Sequence, residues 1–302
     1  MVAHSGFVHP TNKVIVQGKP EVLDRTAEEA GIKPGMVVKR GTTQDLIKIG
    51  DYSTQALGFA GYEQASQPNF STTSIYEVNR PEGLTGTYAQ GAKVPVLYLA
   101  NFILLSKMQA GSAAFKGDDL ACLSGGELVA GKMVDKGFAI RIPFVKKTTE
   151  FATGLVLPAG AIVSDVFIEA STVAESSYID VGLLETGEDR ETGGDSDGFL
   201  DGESCAVAGR VQHVEVAALA ASNTLGELLV ASDIEDATTG TPLFYSIPKK
   251  HVCDGVAKTV SYKTSEHTVA GDIYIVIEGL KVIAQSVEDV NAGAAVLVRS
   301  LL

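Results

Sequence analysis

The amino-acid sequence predicts an all-β protein, with an N-terminal small β-barrel-like domain followed by a C-terminal jelly-roll-like β-sandwich. Three observations support this prediction. Apolar residues recur at every second position in many short segments, which is the period of a pleated strand. The 302 residues include 32 glycines and no tryptophan, and β-branched and small residues outweigh long helix-forming residues in most windows. A chain of this length holds about two domains of ordinary size.

The alternation is clearest between Gly154 and Leu184. Ile179, Val181 and Leu183 recur every second residue there, so one side-chain set meets a core and the other meets water. The segment holds no nucleophile, base and orienting group together. We therefore look for the function in surfaces.

Turn signals at short intervals in the N-terminal half favour a small barrel or sandwich. We interpret residues 1–12 as a flexible N-terminal arm and residues 13–137 as a barrel-like domain. Residues 138–283 form the predicted sandwich, and residues 284–302 form a C-terminal extension. This apolar extension either packs back on its own domain or adds itself to the sheet edge of a neighbour.

One early segment favours a helical turn or two. It runs from Glu21 to Gly31, with Pro34 beyond its end. Glycine just after a helix and proline shortly beyond it are typical stop signals.

A polar connection between residues 61 and 91 carries more aromatic residues than a free loop requires. A connection of this length in a compact domain is unusual unless it touches something. Its rings either tuck onto their own domain or anchor an interface, where Tyr and Phe are enriched. The interface candidates are Tyr62, Phe70, Tyr76 and Tyr88.

The segment from Asp272 to Glu278 is predicted to be a closing strand. Its three isoleucines at 273, 275 and 277 face one way, while Tyr274 and Val276 face the other. A strand that is apolar on both faces is buried twice. We expect a core on one face and a subunit contact on the other, which makes Tyr274 and Val276 interface candidates.

The composition argues against several partners. A net charge of -13 repels nucleic acid, so no nucleic-acid partner is expected. No apolar run is long enough to span a bilayer, so no membrane partner is expected. The first residues lack the layout of a secretion signal, which favours synthesis in a cytoplasm. Cys122, Cys205 and Cys253 lie far apart in the sequence and are interpreted as buried thiols of a reducing compartment.

The acidic segment from Glu185 to Glu203 contains the weak calcium candidates Asp195, Asp197 and Asp201. Several oxygens on a glycine-bearing turn suit Ca²⁺, but the order of ligands in a calcium loop is missing. A solvated acidic loop is the preferred interpretation, with bound Ca²⁺ as the alternative.

No catalytic or cofactor motif is found. GxSxG, GxxxxGK[ST] and a GxGxxG that opens a helix are all missing. The spacing of His251 and Cys253 is weak evidence for a metal site. The sequence predicts no enzyme activity and no cofactor.

The C-terminal half resembles the β-sandwich domain of tailed-bacteriophage head proteins. The resemblance is carried by LVLPAGAIVSDVFIEAST (155–172), YIDVGLLETG (178–187), GGDSDGFLDG (193–202) and HTVAGDIYIVIEGL (267–280). The N-terminal half is similar to the small β-barrel of capsid decoration, or cement, proteins. That similarity is carried by GIKPGMVVKRG (31–41), DLIKIGDYSTQALGFAGY (45–62) and FKGDDLACLSGGELV (115–129).

The resemblance implies a virion protein that is assembled in the host cytoplasm and binds the outer surface of an icosahedral head. In this hypothesis the barrel-like domain of residues 13–137, with the N-terminal arm and the 61–91 connection, binds the capsid, and the sandwich forms the trimer. Its implied partners are the major capsid protein and further copies of itself, as a homotrimer that stabilises the shell. The alternative is a glycan- or receptor-binding head fibre or tail module. A tail or neck component is a third possibility.

Overall fold

The computed structural model describes residues 15–52, 55–61, 87–99, 101–184, 195–211, 228–231, 247–248, 250–253 and 256–302. Every regular element in these ranges is a strand, so the all-β prediction is confirmed. No helix in the described ranges has the length and apolar character needed to cross a membrane.

The strands are numbered in chain order. The first nine are β1 (Ile15–Gln17), β2 (Glu21–Ala27), β3 (Val37–Arg40), β4 (Leu46–Ile49), β5 (Ala56–Ala60), β6 (Lys93–Tyr98), β7 (Ile103–Lys107), β8 (Asp119–Cys122) and β9 (Leu128–Val134). The next six are β10 (Gly137–Val145), β11 (Phe151–Leu157), β12 (Ile162–Thr172), β13 (Tyr178–Leu183), β14 (Asp195–Ser204) and β15 (Gly209–Val211). The last seven are β16 (Val230–Ala231), β17 (Ile247–Pro248), β18 (His251–Val252), β19 (Lys258–Thr264), β20 (Ala270–Ile277), β21 (Val282–Ser286) and β22 (Ala295–Ser300).

The chain divides into two compact units. Unit 1 comprises Met1–Gln109, Ala113–Ala130 and Leu280–Leu302, and unit 2 comprises Ala110–Ser112 and Gly131–Gly279. This division differs from the predicted boundaries at the C terminus. The residues interpreted as an extension belong to unit 1, because β21 pairs with β8 and β22 pairs with β7.

Unit 1 contains a closed barrel in the order β2-β4-β3-β5-β6, as the sequence predicts. Its interior is filled by buried aliphatic side chains, among them Ile32, Val38, Ile47, Val94 and Val96. Burying each such side chain contributes about 1.5–3 kcal/mol.

The helical prediction for residues 21–31 is wrong, because Glu21–Ala27 is strand β2. Six consecutive residues of β2 pair antiparallel with β6, and its last two pair in parallel with β4. These pairings outweigh the local helix preference, which is a weak guide when tertiary contacts oppose it. The glycine at position 31 has a φ of 96° and lies in the connection that follows the strand.

Unit 1 also contains a sheet segment in the order β1-β7-β22-β21-β8. Its side chains share a buried cluster with Val37, Phe59 and Leu97 of the barrel. The rings of Phe59 and Phe102 meet edge to face at 6.4 Å. The C-terminal strands thus pack on their own chain, which is the first of the two alternatives for this segment.

Unit 2 contains a jelly roll. One sheet has the order β10-β20-β12-β15 and the other has the order β11-β19-β13-β14. Strands β10 to β13 alternate between the two sheets, β14 pairs with β13 in the second sheet, and β15 returns to the first. Strands β19 and β20 then complete one sheet each. Eight strands in this double-sheet order define a jelly roll. The predicted jelly-roll-like sandwich is therefore confirmed.

Alternate residues of β10, β12 and β20 supply the core of this sandwich from the first sheet. Ile275 of β20 lies opposite Ile140 of β10 on one side and opposite Val166 of β12 on the other. All three side chains are fully buried. The rings of Phe144 and Tyr262 meet at 6.1 Å, so this face points towards the second sheet.

Candidate interaction surface

Four loops meet at one end of the jelly roll and form its most distinctive surface. They are residues 146–150 between β10 and β11, 173–177 between β12 and β13, 205–208 between β14 and β15, and 265–269 between β19 and β20. Each loop joins one sheet to the other, and the strand order places them across the end as 146–150, 265–269, 173–177 and 205–208. We call these loops and the strand residues beside them the loop end.

Backbone hydrogen bonds tie neighbouring loops to one another. The amide of Thr264 donates to the carbonyl of Lys147 at 2.6 Å, and the amide of Ser265 donates to the carbonyl of Tyr178 at 3.0 Å. The amide of Cys205 donates to the carbonyl of Ser177 at 2.9 Å. Paired backbone groups hold loops in one conformation. The loop end is therefore a defined surface.

Tyr262 supports the loop end from beneath. Its side chain is buried, its hydroxyl donates to the carbonyl of Val145 at 3.1 Å, and the amide of Val145 lies 3.3 Å from the same oxygen. The ring of Phe151 meets it edge to face at 5.5 Å. Burial raises the pKa of Tyr262 above its ordinary value, against the opposing effect of its hydrogen bond with the Val145 backbone.

Large apolar side chains are exposed at three of the four loops of the loop end. The exposed fractions are 55% for Val145, 39% for Phe151, 39% for Val173, 43% for Tyr178 and 69% for Val207. These are five of the 13 large hydrophobic residues that are exposed in the described part of the chain, so exposure is concentrated here. Grouped exposed apolar residues, unlike single ones, mark interaction sites.

Charge is distributed unevenly across the same surface. Lys146 and Lys147 lie in the loop at one margin, while Glu175 and Glu266 lie in the two middle loops. Neighbouring strands are about 4.8 Å apart, so the first and third loops are separated by about 10 Å. The Nζ atom of Lys147 lies 4.4 Å from the centre of the Phe151 ring.

Tyr88 is a core residue of the barrel. It is 7% exposed, and its hydroxyl donates to the carbonyl of Gly61 at 2.7 Å. Its backbone also bridges to Ile32. Tyr88 therefore tucks onto its own domain, which is the first of the two sequence-based alternatives. Tyr62, Phe70 and Tyr76 lie outside the described residues.

The other two interface candidates are buried inside unit 2. Tyr274 is 6% exposed and Val276 is fully buried, so both faces of β20 are covered, as the sequence predicts. The cover for the second face includes side chains of the same unit, since the Phe167 ring stacks on Tyr274 at 4.8 Å and an interplanar angle of 13°. Neither residue presents a surface to a subunit, which corrects the expected subunit contact.

Cations flank this ring pair. The Arg210 guanidinium lies 3.9 Å from the centre of the Phe167 ring, and the Lys132 ammonium lies 4.3 Å from that of Tyr274. Lys132 also pairs with Glu169 at 2.7 Å. Each contact between a cation and a ring contributes about 0.5–2 kcal/mol. Burial raises the pKa of Tyr274, and the charge of Glu169 adds to this effect.

The calcium candidates lie on a strand. Asp195, Asp197 and Asp201 all belong to β14, although the side chain of Asp195 lies outside the described part of the structure. The part of the predicted acidic loop from residue 195 onwards is therefore strand, because it pairs with β13. No group of three or more acidic, histidine or cysteine residues that could hold a metal is found in the described ranges.

Asp180 faces this acidic strand. Its Oδ1 atom accepts a hydrogen bond from the amide of Gly202 at 2.9 Å. Burial raises the pKa of Asp180, and the charges of Asp201 and Asp197 raise it further, against the opposing effect of that hydrogen bond and of Lys263.

The loop end is not predicted by the sequence alone. Its signal was present as single apolar residues beside polar turns, such as Val173 before Ala174-Glu175 and Val207 between two alanines. Isolated residues of this kind indicate an interaction surface only when the fold brings them together. The four loops are separated by as many as 119 residues in the sequence, counted from 146 to 265.

No protein-family model, curated protein or solved structure matches this chain.

Proposed function

We propose that this chain is a virion structural protein that binds the outer surface of an icosahedral bacteriophage head and stabilises it as a homotrimer. Its partners in this proposal are the major capsid protein and other copies of the chain. The observation that supports an assembly role best is the loop end, where exposed apolar side chains gather on an ordered surface. The segments that resemble head and decoration proteins supply the choice of particle.

The physical logic of such a role depends on repetition. A shell offers the same contact many times, so a modest free energy at each site adds up to a large resistance to rupture. A contact of about 800 Å² on each partner is enough for specific attachment. The net charge of -13 also disfavours binding to packaged nucleic acid.

The decisive experiment places the protein on a particle. Antibodies raised against the full chain are used for immunogold electron microscopy of phage particles purified from the source culture. Gold on the outer surface of the heads is expected, in regular positions. Unlabelled heads contradict the proposal when an extract of the same particles contains the protein.

Stabilisation is tested with the same particles. Heads that lack the protein are expected to rupture at a lower temperature than complete heads, and adding back the full chain is expected to restore the difference. An acidic β-protein of similar size that does not bind the heads serves as the control. Equal rupture temperatures with and without the protein would remove stabilisation from the proposed role.

A second candidate is the glycan- or receptor-binding head fibre or tail module. Two partly exposed aromatic rings, Phe151 and Tyr178, favour it, because each presents an apolar face beside polar loops. A glycan array and calorimetry with Ca²⁺ separate the candidates, since an attachment protein is expected to respond to neither. Gold on the tail or neck would likewise favour the second candidate.

A further inference from the structure

Two features of the loop end suit contact with another copy of the same chain. Three of its four loops carry exposed apolar side chains, and its positive and negative charges lie on different loops. The loop of residues 146–150, here called the lysine loop, holds Lys146 and Lys147. The loops of residues 173–177 and 265–269, here called the acidic loops, hold Glu175 and Glu266.

The lysine loop has a net positive surface. Its one carboxylate, Glu150, accepts a hydrogen bond from the Ser261 hydroxyl at 2.9 Å, so part of its hydrogen-bonding capacity is used within the unit. Lys146 is exposed. In the described ranges, no ion pair involves Lys146, Glu175 or Glu266. These charges are available to a partner.

We propose that the loop end binds a second copy of this chain, with the lysine loop of one copy against the acidic loops of the next. The inference deepens the self-association in the proposed function by naming the surface that joins the copies. It does not depend on which particle, if any, the assembly binds.

Electrostatics supports a second copy as the occupant. Two chains that each carry a charge of -13 repel one another over most of their surfaces. The loop end is close to neutral, with two lysines against the three glutamates 150, 175 and 266, so approach there carries little repulsion. Juxtaposing lysines with glutamates at the rim then fixes the orientation and excludes other registers.

The separation of the two charge types lets the surface pair with another copy in two ways. Two copies can match the lysine loop of each with the acidic loops of the other about a two-fold axis, or each copy can use its lysine loop towards one neighbour and its acidic loops towards the next. The second, head-to-tail arrangement closes as a ring of three in the proposed homotrimer. Tyr178 and Phe151 lie within the same surface, and aromatic residues are enriched in the cores of interfaces.

The test uses the full chain and measures its mass in solution by size-exclusion chromatography with light scattering. The wild-type protein is expected at three times the chain mass of 31.6 kDa. The double variant Lys146→Glu with Lys147→Glu places like charges in contact, and its mass is expected to fall to that of one chain. The variant Glu175→Lys with Glu266→Lys is expected to do the same.

Recombining the charges gives the sharpest result. In an equimolar mixture of the two double variants, every contact between one variant and the other pairs glutamates with lysines, while contacts between copies of the same variant stay repulsive. A ring of three must contain one such repulsive contact, so the mixture is expected to restore part of the assembly. A single chain that carries all four substitutions restores every contact and is expected to recover the full mass. Failure of the four-fold variant to assemble, when its circular dichroism is that of the wild type, overturns the proposed pairing.

Apolar substitutions provide an independent test. Val207→Glu places a carboxylate at the most exposed of the five loop-end residues and is expected to give single chains. The matched control is Val252→Glu, because Val252 is 49% exposed on β18, which pairs with the opposite end of β12. A wild-type mass of 31.6 kDa at all concentrations overturns the inference, as does an assembly that Val207→Glu leaves intact.

These outcomes separate the inference from the proposed function. Loop-end variants that become single chains support the inference whether or not the wild-type protein labels phage heads. Labelled heads together with loop-end variants that stay assembled overturn the inference and leave the proposed attachment standing.

Discussion

Removing the Tyr262 hydroxyl tests how the loop end is held. In Tyr262→Phe the ring and its contacts with Phe144 and Phe151 remain, but the bond to the Val145 carbonyl and the contact with the Val145 amide are lost. One neutral hydrogen bond contributes about 0.5–1.5 kcal/mol, and leaving a buried partner unsatisfied costs about 1–3 kcal/mol. We expect the free energy of unfolding to fall by about 1–2 kcal/mol.

Two further variants calibrate this value. Tyr262→Ala also removes the ring and leaves a cavity, so it is expected to cost about 3–5 kcal/mol. Tyr178→Phe removes a hydroxyl from a side chain that is 43% exposed, and its effect is expected to lie within about 0.5 kcal/mol of zero.

The measurement is equilibrium unfolding in urea, followed by circular dichroism, together with hydrogen exchange at the Val145 amide. Tyr262→Phe is expected to unfold at a lower urea concentration than Tyr178→Phe and to exchange faster at Val145. Equal midpoints for these two variants would show that the hydroxyl bridge contributes nothing, and the support assigned to Tyr262 would then be refuted.

Three further predictions concern other parts of the chain. A Cβ at Gly271 would collide with the Glu169 carbonyl oxygen and lie 2.9 Å from the Ala170 Cα, so Gly271→Ala is expected to force β12 and β20 apart and to cost about 1–3 kcal/mol. Gly202→Ala, where nothing lies within 4 Å and φ is +67°, is expected to cost only about 1 kcal/mol in urea unfolding; an equal loss in both variants contradicts the steric argument. Burial raises the pKa of Asp180 above its ordinary 3.8, so ionisation of this carboxyl weakens the folded state as pH rises through the folded-state pKa. Asp180→Asn is therefore expected to be more stable than the wild type at pH 7 but not below pH 3.8. A thermal unfolding midpoint for Asp180→Asn that stays at or below the wild-type value at pH 7 contradicts this sign. Burial raises the pKa of the Cys122 and Cys205 thiols to about 12, and Cys253 is fully buried, so a thiol reagent is expected to label all three only after unfolding; fast labelling of the native protein would show that the thiols are accessible.

The fold class could be predicted because strand periodicity is a local property. The alternation of Ile179, Val181 and Leu183 reports a half-buried strand wherever its partners lie. The two buried faces of β20 could be predicted in the same way, since Ile273 to Ile277 are apolar at every position. The side chains that cover each face come from strands far away in the sequence, and for this reason the sequence alone predicts Tyr274 and Val276 as interface candidates.

The candidate surface could not be predicted for the same reason. Val145, Val173 and Val207 come together only because the jelly roll returns its connections to one end. The β2 error has a related cause, because the segment from Glu21 has good helix formers and becomes a strand through six pairs with β6. Pairing between distant segments has no local signal.

Strands β21 and β22 lie between β7 and β8 in the sheet of unit 1, although they come from the last part of the chain. During translation, the edges of β7 and β8 consequently wait for partners until residues 282–300 leave the ribosome, while the strands of the jelly roll have all been made. Chains that stop before residue 282 keep two open hydrogen-bonding edges, which favour aggregation or proteolysis. Closure of this sheet therefore requires that synthesis has passed residue 300, and the open edges expose shorter copies to removal by proteases.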